Sequence, residues 1–189
     1  MKLSTRLARR VGATAAAVTA ALLIPAVAQA APGRAARPAA APRCTSAQLR
    51  TWIGLPGDGT AGHTFYELEF SNISARTCSL AGYPGVSARF QDGKPVGSPA
   101  VRSAAHPVRL VTLARGATAH VELGDGTGAD FPVAACHPVA ASGLRVFAPG
   151  DFRAETVPLP GFGACRTPGP RLISVSPVLA GTGIPHFSH

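Results

Sequence analysis

Apolar and polar residues alternate along this chain in the way that is typical of strands. Tyr66, Leu68 and Phe70 alternate with Glu67 and Glu69. In a strand, successive side chains point to opposite faces of the sheet, so this two-residue period puts the apolar side chains on one face and the acids on the other. We therefore predict a half-buried strand whose two acids face water.

The same alternation recurs in residues 117–123, and shorter apolar runs continue it. These runs predict further strands at 49–54, 86–90, 108–113, 144–148 and 172–178. Turn residues rich in glycine, proline and aspartate separate them, at 57–59, 82–85, 92–95, 115–116 and 149–151. After residue 30 no segment keeps a helical period for ten positions, and residues 130–136 are the only helical candidate.

Seven or eight strands with frequent turns predict an all-β fold, an immunoglobulin-like β-sandwich. A closed barrel is the alternative, because the number of strands fits both architectures.

The first thirty residues have the pattern of an export signal. Four basic residues precede an apolar, alanine-rich segment, and Ala28-Gln-Ala30 offers a small-x-small cleavage site. A transmembrane anchor is disfavoured, because Pro25 interrupts a segment shorter than the roughly 20 apolar residues that span a bilayer. We predict a signal peptide at 1–30, a secreted product and no integral membrane segment in the mature chain, with Sec or twin-arginine export left open.

Composition divides the rest of the chain into three parts. Residues 31–43 are rich in Pro, Ala and Arg and contain no large apolar side chain, so we expect a flexible lead. A single domain should span 44–179, a usual domain size. Residues 180–189 should form a flexible tail.

The formal net charge of +9 does not indicate a nucleic-acid partner. Seven of the basic residues lie before Cys44, and from Cys44 onward eleven Lys and Arg stand against nine Asp and Glu. Proteins that bind nucleic acid cluster their basic residues on one face or helix, whereas here they are scattered. We therefore expect no nucleic-acid partner.

Cys44, Cys78, Cys136 and Cys165 are predicted to form two disulfides, as in proteins of oxidising compartments. Their spacing includes no Cys-x-x-Cys motif. Four cysteines can form two disulfides in three different pairings. If the first two long strands are antiparallel, the start of the first strand, near Cys44, meets the end of the second strand, near Cys78. This favours Cys44–Cys78, which leaves Cys136–Cys165; a Cys44–Cys136 or Cys44–Cys165 link would overturn the choice.

Two motifs resemble a known family. In the first motif, the strand from Tyr66 ends in Asn72-Ile-Ser74 and is followed by Cys78-Ser-Leu-Ala-Gly-Tyr-Pro-Gly85. The second motif is a strand, a glycine turn and another strand, with the sequence Val111-Thr-Leu-Ala-Arg-Gly-Ala-Thr-Ala-His-Val-Glu-Leu123. This pattern, continued by Cys136 and residues 143–149, resembles the actinobacterial secreted domain of unknown function 4232. The resemblance covers 44–178 and implies an exported β-sandwich, with no functional residues to transfer.

Catalytic and metal-binding motifs are not found in the sequence, so we expect no enzyme activity, no metal and no cofactor. Glu67 and Glu69 share a strand face as paired glycosidase carboxylates do, but acids on an exposed face are ordinary. The histidines His63, His106, His120 and His137 are scattered singly, and His186 and His189 lie in the tail. Asn72-Ile-Ser74 matches a glycosylation acceptor, which carries no information in a bacterial protein.

Tyr83 and Pro84 are the candidate binding surface. A rigid loop at 82–85 would present the aromatic ring to a partner. The alternative is that Tyr83 folds back onto the sandwich and Pro84 makes a turn.

The predicted function is a non-catalytic binding or cell-wall-associated module, whose partner is an extracellular protein or a wall polymer. One alternative is a secreted hydrolase with a dispersed site, in which acids and histidines converge in a pocket. Another is a protease-inhibitor-like domain, with the segment 152–165 as its exposed loop.

Overall fold

The computed structural model describes residues 40–54, 59–60, 62–126 and 131–183. The predicted signal peptide, residues 31–39 of the predicted lead and residues 184–189 of the predicted tail lie outside the described residues.

The described residues are organised almost entirely as strands. The single α-helix among them, α1 (Val133–Cys136), has four residues, and a 3₁₀ turn (Ser46–Gln48) precedes the first strand. No helix in the described ranges is long and apolar enough to cross a membrane. The strands are β1 (Leu49–Ile53), β2 (Gly59–Thr60), β3 (His63–Asn72), β4 (Cys78–Leu80), β5 (Gly85–Arg89), β6 (Pro95–Val96), β7 (Val101–Arg102), β8 (Val111–Leu113), β9 (Thr118–Gly126), β10 (Pro138–Phe147), β11 (Ala154–Cys165), β12 (Ile173–Val175) and β13 (Leu179–Ala180).

Two main sheets form a sandwich-like arrangement, which confirms the predicted all-β sandwich. Sheet 1 has the order β1-β3-β9-β12-β7, with β2 paired to β3 and β13 paired to β9. Sheet 2 has the order β11-β10-β5-β6, and β4 pairs with β8 separately. Neighbouring strands are antiparallel except for β12 and β7.

The core is formed by the inward faces of the two sheets. Leu68 and Phe70 of β3 are fully buried, as are Leu123 of β9 and Leu144 of β10. Phe162 of β11 joins them. These are the apolar positions of the period-two pattern, and their burial drives the packing of the sheets.

Most predicted strands are found, with altered ends. The prediction at 108–113 shortens to β8, and the prediction at 144–148 is the last part of the longer β10. The suspected helical turn at 130–136 contains α1. The additional short strands raise the number beyond seven or eight.

The strand β11 was not predicted, because Pro158, Pro160 and Gly161 are typical of a loop. The position of β11 at the edge of sheet 2 makes these residues tolerable. Because β11 pairs only with β10, the missing N–H group of a proline does not remove a hydrogen bond to a second neighbouring strand. The pairing with β10 shifts register between Ala141 and Gly143, opposite this proline-rich segment.

Both predicted disulfides are confirmed. Cys44 is bonded to Cys78 and Cys136 to Cys165. The reason for the first pairing also holds, since β1 and β3 are antiparallel with Leu49 opposite Asn72.

The chain makes backbone contacts beyond both predicted domain boundaries. Pro42, which precedes Cys44 by two residues, accepts a hydrogen bond at its backbone oxygen from Ser79 N–H at 2.8 Å. At the other end, Ala180 pairs with β9 and Gly181 N–H bonds to Thr118 O at 3.1 Å. The segment 179–183 therefore belongs to sheet 1 and its outer face.

Candidate functional site

Tyr83 and Pro84 lie in a packed turn. Pro84 is buried and Tyr83 is half-buried against the core. Gly82 O accepts a hydrogen bond from Val178 N–H at 2.9 Å, and the Arg102 guanidinium lies 5.4 Å from the centre of the Tyr83 ring. These contacts favour the structural interpretation of the motif, because its proline is not at the surface.

The prediction that Glu67 and Glu69 face water is wrong. They point away from Leu68 and Phe70 as the alternation requires, but the two residues are only 8% and 1% exposed. Gly183 N–H donates to Glu69 Oε1 at 3.0 Å, so the C-terminal segment covers this face. Burial is the main cause that raises the pKa of Glu69 above its ordinary value.

Acids and histidines converge on this outer face of sheet 1. The register places Glu122 opposite Glu67 and His120 opposite Glu69, and His106 Nε2 lies 3.1 Å from Glu122 Oε1. The sequence alone indicated that these acids and histidines are scattered. However, Glu67 and Glu69 are covered, and no group of three or more metal-ligating side chains in the described residues is arranged to hold a metal ion. The face therefore does not present its carboxylate pair to a substrate.

Asn72, in the glycosylation-like motif, is a buried structural residue. Its Nδ2 donates to Leu113 O at 2.9 Å and to Arg76 O at 2.8 Å, and its Oδ1 accepts from Ser74 N–H at 2.9 Å. The side chain thus joins the end of β3 to the last residue of β8 and to the loop that follows β3, and is not available for modification.

A shallow groove of about 460 Å³ lies on the outer face of sheet 2. Its charged residue is Arg89, whose Nη1 donates to Thr156 Oγ1 at 3.0 Å and whose Nη2 donates to Gln91 O at 3.4 Å. Since the guanidinium already bonds within the groove, the geometry indicates no particular ligand.

The turn between β10 and β11 presents a different arrangement. Asp151 N–H bonds to Ala148 O at 2.9 Å across Pro149 and Gly150, and Gly150 has a φ of +74°. A type II turn requires a positive φ at its third position, which glycine supplies here, and it commonly has proline at its second position. We call residues 148–153 the Phe152 turn.

The Asp151 carboxylate holds the Phe152 turn rigidly. Its Oδ2 accepts bonds from the N–H and the hydroxyl of Ser46, at 2.6 and 2.8 Å. Its Oδ1 accepts from Phe152 N–H at 2.6 Å and Arg153 N–H at 3.1 Å. The bonds from Ser46 are the main cause that lowers the pKa of Asp151 to about 2. Ser46 lies two residues after Cys44, so a disulfide stands beside the clamp.

Phe152 projects from this turn with 95% of its surface exposed. It is the most exposed large apolar side chain among the described residues, and aromatic side chains frequently anchor interfaces. A fixed backbone that carries a fully exposed ring is therefore a candidate binding feature.

Other loops lie at the same end of the sandwich. Gln48 O accepts from Ile73 N–H at 2.9 Å, and Asn72 O accepts from Gly116 N–H at 2.8 Å. Together with the Ser46–Asp151 bonds, these contacts connect four segments that we call the loop end: residues 43–48, 73–77, 114–117 and 148–153. Ile73 is 62% exposed there.

Sequence reasoning found the turn at 149–151 but not its exposed ring. The segment 152–165, considered as an inhibitor loop, is mostly β11, which leaves only the Phe152 turn. The local signal was Pro149-Gly-Asp151 followed by an aromatic residue. Nothing local indicated the partner of Asp151, because Ser46 lies 105 positions away.

A family model described as a domain of unknown function, DUF4232, matches residues 44–178. No curated protein and no solved structure matches the chain.

Proposed function

The chain belongs to this family, and since its description assigns no activity, we propose a function from the geometry. The protein is an exported, non-catalytic domain that binds a partner outside the cell through its loop end. Association with the cell wall, through binding of a wall polymer in place of a protein, is the alternative form of this proposal.

The observation that carries the proposal is the exposed ring of Phe152 on a clamped turn. Binding orders flexible groups at a cost of about 0.5–1.5 kcal/mol for each side chain. The four hydrogen bonds that Asp151 accepts fix the backbone beforehand. A backbone that is already ordered reduces that cost, as a recognition surface requires.

Export is supported by the two disulfides, which are typical of oxidising compartments. The signal-like sequence of residues 1–30 agrees with it.

A secreted hydrolase is the second candidate, favoured by the convergence of Glu122, His106 and His120 on one face. The cover over Glu67 and Glu69 argues against it. A protease-inhibitor role has weaker support, since the Phe152 turn is a tight turn and not an extended loop.

Site-specific photocrosslinking tests the proposal. A benzoylphenylalanine side chain at position 152 of the secreted protein should form discrete adducts with the extracellular or envelope fraction of the source cells. The same group at Val133, which is also well exposed, serves as the control. Excess wild-type protein should compete the adducts away, whereas Phe152→Ala should not.

Equal adducts from positions 152 and 133, or adducts that neither protein competes, would refute binding through the loop end. Turnover of ester, peptide or glycoside substrates that Glu122→Gln abolishes would support the hydrolase instead.

A further inference from the structure

We propose that the partner is a protein with an apolar pocket for Phe152 and a rim of acidic side chains for the arginines around it. This inference rests on the proposed binding function and names the chemistry of the partner.

The loop end is basic. Arg43, Arg76, Arg115 and Arg153 are all exposed there, and Asp151 is the only acid in its four segments. Within the described ranges, the ion pairs are Lys94–Asp92 and His106–Glu122. None of the four arginines is therefore neutralised by a neighbouring carboxylate of the described chain.

Asp151 does not offset this charge through direct pairing. Its two oxygens accept hydrogen bonds from Ser46, from Phe152 N–H and from Arg153 N–H. Its carboxylate is directed into the turn. Among the described residues no carboxylate pairs with these guanidinium groups. They can therefore bind the carboxylates of another molecule, which arginine contacts in a planar, two-point geometry.

The placement of two arginines follows the turn itself. Arg43 Nη1 lies 3.4 Å from Gly150 O, so its guanidinium stands beside the turn. The backbone of Arg153 is held by Asp151 Oδ1. Arg43 is therefore bonded to the Phe152 turn, and Arg153 follows Phe152 directly in the chain.

A protein pocket fits these features better than a bilayer or a wall polymer. Protein interfaces are enriched in aromatic residues and arginine, and their strongest contacts fill preformed pockets. A fluid bilayer gains little from a fixed ring position, and two exposed apolar side chains, Phe152 and Ile73, offer it little area. A wall polymer would use the arginines without requiring Phe152.

The test is a selection on the mature domain with a phage library of cyclic random peptides. Vesicles of phosphatidylglycerol and phosphatidylcholine and purified cell walls serve as separate probes. We expect selected peptides to combine an apolar side chain with two or more acids. Phe152→Ala and Arg153→Glu should each weaken binding of these peptides at least about tenfold, and added salt should weaken it further.

Val133→Ala and Arg171→Glu are the matched controls, because both side chains are exposed outside the loop end. They should change affinity less than about twofold. Thermal unfolding of every variant should match the wild type, since exposed side chains contribute little to stability.

Selected peptides that lack acids, or that bind Phe152→Ala as well as the wild type, would overturn the inference while leaving a binding module. Vesicle binding that Phe152→Ala abolishes would replace the protein partner with a membrane. Wall binding that needs Arg153 but not Phe152 would replace it with a wall polymer. If the wild type binds none of the three probes, the inference fails; the proposed function fails with it only if position 152 also gives no competed crosslinked adducts.

Discussion

Asp125 should make the protein less stable as the pH rises. It lies near the end of β9 and is 9% exposed. Its Oδ2 accepts a hydrogen bond from Gly163 N–H at 3.1 Å, and its Oδ1 is buried without a hydrogen-bond partner. Burial is the main cause that raises the pKa of this carboxyl from 3.8 to about 6.

The sign of the effect follows from proton linkage. Between about pH 4 and pH 6 the folded protein keeps a proton on Asp125 that the unfolded chain has released. The free energy of unfolding therefore falls as the pH rises through this interval. The difference between 3.8 and about 6 corresponds to about 3 kcal/mol of lost stability at neutral pH, at 1.36 kcal/mol for each pKa unit.

Asp125→Asn removes the ionisation and keeps an oxygen for Gly163 N–H. We expect the variant and the wild type to be similar in stability near pH 4. Near pH 7 the variant should be more stable by about 1–3 kcal/mol, since the buried amide lacks an evident acceptor and loses part of the gain.

Urea denaturation at pH steps between about 4 and 8 measures this difference. Asp92→Asn is the control, because Asp92 lies on an exposed turn beside Lys94, 3.1 Å from its ammonium group. Its pKa is lowered, so the substitution should not produce a gain that grows with pH. Parallel stability curves for wild type and Asp125→Asn would refute the buried ionisation of Asp125.

Three further outcomes test the structure. Asn72→Ala should lower the free energy of unfolding by about 3 kcal/mol in urea, because it leaves buried carbonyl groups unpaired; a loss under about 1 kcal/mol would contradict its role. Replacing Cys136 and Cys165 with serine should cost about 3–4 kcal/mol for a separation of 29 residues, and unchanged denaturation would argue against the bridge. Since the pKa of Asp151 is lowered to about 2, its contribution to stability is present above about pH 4 and lost as the pH falls towards 2. Asp151→Ala should remove that part of the acid sensitivity and speed amide exchange at Phe152, whereas unchanged exchange would exclude the clamp.

The sequence predicted those parts of the fold that depend on local pattern. Alternation located the core of β3 and β9, and antiparallel strand order selected the correct cysteine pairs. The sequence pattern did not predict β11, because its proline and glycine residues are typical of a loop. Such residues are tolerated in a strand chiefly where it lies at a sheet edge. Edge position is a property of the whole sheet and leaves no local signal.

The candidate site was less predictable, because its contacts join distant segments. Pro149 and Gly150 specify the turn locally, but the clamp depends on Ser46. The wrong prediction for Glu69 has the same cause: alternation chose its face correctly, whereas its burial depends on Gly183, 114 positions away. A period-two pattern assigns a residue to a face but does not say what covers that face.

The clamp also separates folding from recognition at the Phe152 turn. Asp151 faces inward and bonds the turn to Ser46, beside the Cys44–Cys78 bridge, so its replacement should alter both stability and the order of the turn. Phe152 makes almost no contact with the domain, so its replacement should leave stability unchanged. If Asp151→Ala weakens binding while Phe152 is still present, the order of the turn contributes to affinity in addition to the ring itself.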